Sequence, residues 1–228
     1  FLSDSYYEES HYTDIDPNFP FEAGDDTEKI IIQLSNLAVE SILDTTDQLD
    51  RKELEKAADI LYHSRQIALM AQAPNLYVGE LFRRKMATIG KNVLITESDM
   101  GLLAHSLSSE DCAILISYSG NSERRLPLKV IPILEEAKVP IIAITGMGEN
   151  LLRQHATCTL SMSSRERLYT KISNFATEES INFILNMLYA CYFVRDYDRN
   201  LEFKTKASRI LEFQRFSQNS DIQEKPQT

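Results

Sequence analysis

The densest group of hydrogen-bonding side chains in the chain is Ser117-Tyr118-Ser119-Gly120-Asn121-Ser122. Three hydroxyls within six residues can follow the oxygens of an anion, and a glycine among them lets the backbone come close to a ligand. The segment directly follows the apolar run Cys112 to Ser117 and precedes a stretch read as helix. In open parallel sheets, ligands settle beyond the carboxyl ends of strands. A helix starting there would add unpaired N–H groups and a partial positive charge. Serine caps helices anywhere, so a lone hydroxyl would signal no more than a cap. The density of hydroxyls beside one of only seven glycines favours an anion site, with Ser117, Tyr118, Ser119, Gly120 and Ser122 as expected contacts.

The elements that must hold this loop are legible around it. Ile30, Leu34, Leu37, Ala38 and Ile42 share one face at helical spacing, and Leu54, Ala57, Ala58 and Leu61 repeat the pattern over 52–63. Short apolar runs then follow at 67–71, 92–96, 112–117, 141–145 and 158–162, with room for a crossover helix in most gaps. Consecutive apolar positions suit strands covered on both faces. The expected class is therefore α/β, a doubly wound three-layer αβα sandwich with a five-stranded parallel sheet. Gly90 stands where a helix over 76–89 needs a left-handed cap. Pro127 fits a first turn, whereas Pro132 predicts a kink or a break in the crossover after the third strand. The stretch 177–194 is apolar almost all round, which reads as a helix buried on every side and, in one domain, as a subunit interface. A homodimer is expected on that ground. An amphipathic helix with Leu201, Lys204, Ile210 and Leu211 and a polar end close the chain.

Composition limits the partners. Residues 1–28 carry nine acidic side chains and no Lys or Arg, while the remaining 25 acidic and 24 basic residues nearly balance. No cationic cluster of the kind that displaces counterions from nucleic acid is present, so this chain is not expected to bind DNA itself. Arg83-Arg84-Lys85 reads as one exposed helix face. Cys112, Cys158 and Cys191 have no metal-binding or disulfide spacing and read as reduced core thiols of a cytoplasmic protein. His11, His63, His105 and His155 are as scattered, so neither a metal nor a cofactor is expected. The longest apolar stretch, 183–194, is too short to cross a bilayer. The first residue is Phe1, from which a fragment of a longer protein is expected.

The loop 117–122 resembles the Ser-x-Ser-Gly-x-Thr/Ser phosphate loop of SIS (sugar isomerase) domains, and Ile141-Ile142-Ala143-Ile144-Thr145 resembles the strand that follows in that fold. Residues 28–215, including Asp196-Tyr197-Asp198-Arg199-Asn200-Leu201-Glu202, resemble the C-terminal half of RpiR-type bacterial regulators, and 1–21 resembles the connector to their helix-turn-helix domain. The resemblance implies an acidic connector over 1–28, a phosphosugar-binding SIS domain over 29–199 and a C-terminal helix and tail over 200–228. It also implies that a phosphosugar, bound by the SIS dimer, alters operator binding by the missing domain. One departure stands out. Where SIS domains carry a glycine-rich turn ending in serine, this chain has Ala71-Gln72-Ala73-Pro74-Asn75. Asn75 takes the serine's place as a contact and can cap the next helix, whereas alanine blocks close approach and Pro74 lacks an N–H. The site is either retuned to another effector or has lost binding.

Two other functions remain open. A sugar-phosphate isomerase would need a carboxylate base, for which Glu178 and Glu179 are the available pair, although glutamates in a first turn also answer the helix dipole. Glu179 is kept as an expected contact in either case. A dimerisation scaffold with a vestigial pocket is the third reading. Arg124 and Arg125 are weak candidates for neutralising a phosphate, and Arg165, Arg167 and Lys171 read as solvated.

Overall fold

The computed structural model describes residues 15–211. Its centre is a five-stranded, all-parallel sheet of β1 (Ile67–Ala71), β2 (Val93–Ile95), β3 (Cys112–Ser117), β4 (Ile141–Gly146) and β5 (Cys158–Met162), in the order β2-β1-β3-β4-β5. The inner strands are buried along almost their whole length, which is why they appear in the sequence as unbroken apolar runs. Alternate side chains feed two separate cores. Ile67, Leu69, Ile114, Ile116 and Ile144 point to one. Ala68, Met70, Ala113, Leu115 and Ala143 point to the other.

The first core is covered by long helices. These are α1 (Thr27–Gln48), α2 (Arg51–His63), α3 (Asn75–Ala87) and α7 (Phe175–Phe193). Asp26 and Asp50 start the first two, their carboxylates accepting from the N–H groups of Lys29 and Lys52 at 2.8 Å. α2 buries Leu54, Ala57, Ala58 and Leu61, the face its periodicity predicts. On α1 the innermost residues are Leu37, Ser41 and Thr45, so two of the deepest positions are hydroxyls that the apolar pattern passes over. Gly90, at φ +79°, closes α3 as expected: its N–H donates to Ala87 and that of Lys91 to Met86.

The second core is covered by short helices, α4 (Met100–His105), α5 (Ile131–Glu136) and α6 (Leu151–His155), with a 3₁₀ turn at Leu128–Val130. Pro132 lies in the first turn of α5, and the crossover is broken before it. The apolar α7 lies beneath α1, α2 and α3 and against β5, so its own chain covers one side of it, while Phe183 and Met187 are only partly buried and Ala190 is exposed. A 3₁₀ turn (Val194–Asp196) leads into α8 (Tyr197–Leu211), on which only Asn200 is buried, held by the carbonyl of Phe193 at 3.0 Å.

Of the acidic segment, residues 1–14 lie outside the described residues, as does the polar end 212–228. The stretch before α1 lies on the surface of the loop ahead of α7. Asn18 is buried there, accepting from the N–H of Arg167 at 2.6 Å and, through its carbonyl, from Ile172 at 2.9 Å.

Candidate binding cleft

β1 and β3 lie side by side, Ala71 opposite Ile116. The chain leaves β1 toward the long-helix face and β3 toward the short-helix face. Such a reversal opens a crevice at the carboxyl edge of a doubly wound sheet. Here the crevice is a cavity of about 420 Å³. One wall is Gln72, Ala73, Pro74 and Asn75. The floor and second wall are Ser117, Tyr118, Ser119, Ser122 and Arg125, and Leu168, Lys171, Asn174 and Thr177 face them. Five of the expected contacts therefore meet in one place: Asn75, Ser117, Tyr118, Ser119 and Ser122. Gly120 and Glu179 do not line it.

The serine loop is held from behind. The carbonyl of Tyr118 accepts from the N–H of Gly146 at 3.0 Å, and its hydroxyl donates to the carbonyl of Ser164 at 2.5 Å. Asn121 accepts from the N–H of Leu151 at 3.1 Å and the carbonyl of Gly120 from that of Leu152 at 2.9 Å, tying the loop to the start of α6. Gly120 is buried at φ +63°, and its N–H donates to the Ser117 hydroxyl at 3.3 Å. A Cβ there would stand 2.3 Å from Asn150 Oδ1 and 2.8 Å from Thr145 Oγ1. A glycine here thus serves the approach of two buried polar side chains. The hydroxyls of Ser119 and Ser122 have no protein partner among the described residues, and both residues line the cleft.

Two expectations about helix ends need correction. The chain does not pass from Ser122 into a helix. Residues 123–127 form turns, the 3₁₀ turn begins at Leu128, and α5 only at Ile131. A helix running on from Ser122 would hold Pro127 and Pro132 in its interior, without their N–H groups and against the preceding carbonyls. Asn75 is the first residue of α3 and not its cap: Pro74 occupies that position, with no side-chain bond to the helix. The Leu76 and Tyr77 N–H groups are taken by the carbonyls of Gln72 and Pro74 at 3.2 and 3.0 Å.

The loop between β5 and α7 supplies residues that sequence spacing passes over. Glu166 is buried, and its carboxylate accepts from the N–H groups of Ala176 and Thr177 at 2.7 and 3.2 Å and from the Thr177 hydroxyl at 2.8 Å. It fills the N-terminus of α7 and answers the helix dipole. Lys171 is 3.1 Å from the same carboxylate and its side chain is only 15% exposed. It is therefore a wall of the cleft and not a solvated residue. Burial, then the carboxylates of Glu166 and Glu179, push the Glu178 carboxyl above the ordinary range, with Lys171 opposing. Neither Glu178 nor Glu179 lines the cleft. The thiols of Cys112 and Cys158 are pushed up by burial to about 11 and about 12, which leaves them protonated and unreactive. No group of metal-binding side chains exists among the described residues, nor is any helix there long and apolar enough to cross a membrane.

The family model for the SIS domain matches residues 60–189. A Thermotoga maritima protein named an uncharacterized HTH-type transcriptional regulator is 26% identical over 174 residues, 75% of this chain. The chain spans 61% of that relative's length. Among solved structures, the Vibrio vulnificus NanR protein complexed with ManNAc-6P superimposes with a TM-score of 0.71 at 20% identity, over 83% of this chain and 69% of that one. The sugar isomerase domain of an RpiR transcription factor from Sphaerobacter thermophilus gives 0.66 at 17% identity, over 78% and 98%. Proteins named as putative sugar-phosphate and phosphosugar isomerases share the architecture too. At these identities the structural likeness establishes the fold.

Proposed function

The chain belongs to the SIS domain family, and from that premise we propose that it is the effector-sensing and dimerisation part of a transcription regulator. A phosphorylated sugar or amino sugar enters the cleft between β1 and β3. Its phosphate meets the hydroxyls of Ser119 and Ser122, with Arg125 and Lys171 supplying positive charge and Asn75 a polar contact from the opposite wall. The observation that carries this reading is the lining itself. Three serines and two cations converge on one cavity, and among the described residues no carboxylate lines it. The altered first turn fits a retuned site, because Asn75 still faces the cavity although its helix cap is gone.

Binding without turnover is the preferred reading because neither Glu178 nor Glu179 lines the cavity as a base would. Operator binding is assigned to a helix-turn-helix domain like those after which the Thermotoga relative is named. An effector that favours one arrangement of the regulator shifts its population and so its affinity for DNA. A second copy of this chain is the proposed partner. It is supported by the outward stripe of Ile32, Val39 and Leu43 on α1, each 40–53% exposed. Sedimentation equilibrium checks this: a Leu43→Asp variant is expected as monomer, and an unchanged mass removes that stripe from the interface.

The sensing role is tested by thermal unfolding against phosphosugars, each paired with its unphosphorylated counterpart. At a ligand concentration about a hundredfold above Kd the native state gains ~2.7 kcal/mol, roughly 5–10 °C in a domain of this size. The shift is expected from the phosphorylated member alone, and Ser119→Ala should reduce it. A panel without any shift would count against sensing and leave the scaffold reading.

A further inference from the structure

Beside the cleft lies a second cavity of about 580 Å³, and the two share Gln72, Arg125 and Leu126. Its own polar residues are Arg124 and Lys129, its apolar floor is Val130 and Ile133, and among the described residues no carboxylate lines it. The break in the crossover creates this arrangement. Because the chain turns through 123–127 before entering the 3₁₀ segment, Arg124 and Arg125 leave the turn toward the opening. Lys129, whose N–H donates to the Arg125 carbonyl at 2.9 Å, follows on the same side. Arg124, Arg125 and Lys129 have no ion-pair partner among the described residues, and Glu123, next in sequence, lines neither cavity. In a chain of net charge −10, three unpaired cations beside a site already suited to a phosphate require an explanation.

We propose that the effector is a phosphosugar with a second acidic group at the end of its carbon chain remote from the phosphate. That group, a carboxylate or a second phosphate, sits against Arg124 and Lys129 while the phosphate occupies the serine cleft, and Arg125 lies between the two. The inference rests on the phosphosugar reading above and narrows it. A monophosphate leaves the second cavity to water. A dianion of the right length fills both, and each added contact between an ionised donor and an ionised acceptor strengthens binding. The apolar floor receives the carbon chain between the acidic ends.

Isothermal titration calorimetry on this chain with two matched pairs of probes tests it: fructose 6-phosphate against fructose 1,6-bisphosphate, and glucose 6-phosphate against 6-phosphogluconate. At least one doubly acidic member is expected to bind about tenfold tighter than its partner, as two partly exposed charge contacts warrant. Added salt should shrink that advantage. The Arg124→Ala/Lys129→Ala variant, changed only at exposed positions, should abolish the advantage and alter the monophosphate affinity less than twofold. Equal affinities within both pairs, or an advantage that survives in the variant, overturn the inference and leave the phosphosugar reading standing. Failure of every phosphorylated probe to bind overturns both.

Discussion

Replacing Gly120 with alanine separates two roles for a glycine in a ligand loop. If the glycine exists for ligand approach, the unliganded protein should tolerate Gly120→Ala. The structure gives the opposite expectation. At φ +63° an alanine costs about 1 kcal/mol in backbone strain. Its Cβ must also displace Asn150 Oδ1, which stands 2.3 Å away. That oxygen accepts from the N–H of Arg153 at 3.0 Å and so caps α6, while Asn150 Nδ2 donates to Thr145 Oγ1 at 3.2 Å. Losing a cap costs about 1 kcal/mol, and an unpaired buried amide about 1–3 kcal/mol. Together these give a loss of about 3–5 kcal/mol without any ligand, measured by urea denaturation. The double-mutant cycle is the sharper test. With Asn150→Ala present, the cost of Gly120→Ala should fall toward the backbone strain alone, leaving a coupling of about 2–4 kcal/mol. A Gly120→Ala protein within about 0.5 kcal/mol of wild type, or a cycle that closes without coupling, would refute the packing explanation and return Gly120 to the ligand.

Two further perturbations probe buried carboxylates, Glu166 beside the cleft and Asp111 at the opposite edge of the sheet. Glu166→Ala strips two N–H groups at the start of α7 and leaves Lys171 without its partner, which should cost about 3 kcal/mol in thermal or chemical unfolding. A loss below about 0.5 kcal/mol would mean that water alone satisfies these N–H groups. Asp111, fully buried, accepts from Arg65 at 3.0 and 2.9 Å, and that contact foremost holds its carboxyl below the usual 3.8. A depressed folded-state pKa gives stability that is present above the unfolded value and is lost as pH falls through the folded one. Stability against urea should therefore drop as the pH falls below about 4, and Asp111→Asn should flatten that part of the profile. Because Arg65 is more than half exposed, solvent screening keeps the effect modest.

The inner strands were readable because covering a strand on both faces leaves no polar alternation, so β1, β3 and β4 stand out as apolar runs, whereas the edge strand β5 alternates with Thr159 and Ser161. The serine loop was readable because its chemistry is local. Other features depend on residues far apart in sequence. Glu166 reaches the N–H groups of residues 176 and 177 only after the intervening loop has folded back, and nothing in its spacing marks a buried carboxylate. The covering of α7 by α1, α2 and α3 is of the same kind: periodicity shows that the helix is buried, not what buries it. The missing helix after Ser122 is different, since Pro127 and Pro132 carried the signal in full view. A hydroxyl-rich loop after a strand invites a helix, and two prolines five residues apart forbid one there.

These corrections change what must recognise the anion. A helix N-terminus at the serine loop would have made backbone N–H groups the main donors. No helix starts there, the first N–H groups of α3 bond to Gln72 and Pro74, and those of α7 are filled by Glu166. On the proposed reading, recognition falls to the serine loop's own N–H groups and to side chains: the hydroxyls of Ser119 and Ser122, the amide of Asn75, Arg125, and a Lys171 whose charge is shared with Glu166. Side chains are replaceable one at a time, and a backbone cradle is not. Ligand preference in this chain should therefore follow single substitutions at the cleft wall while the sheet and its two cores stay unchanged.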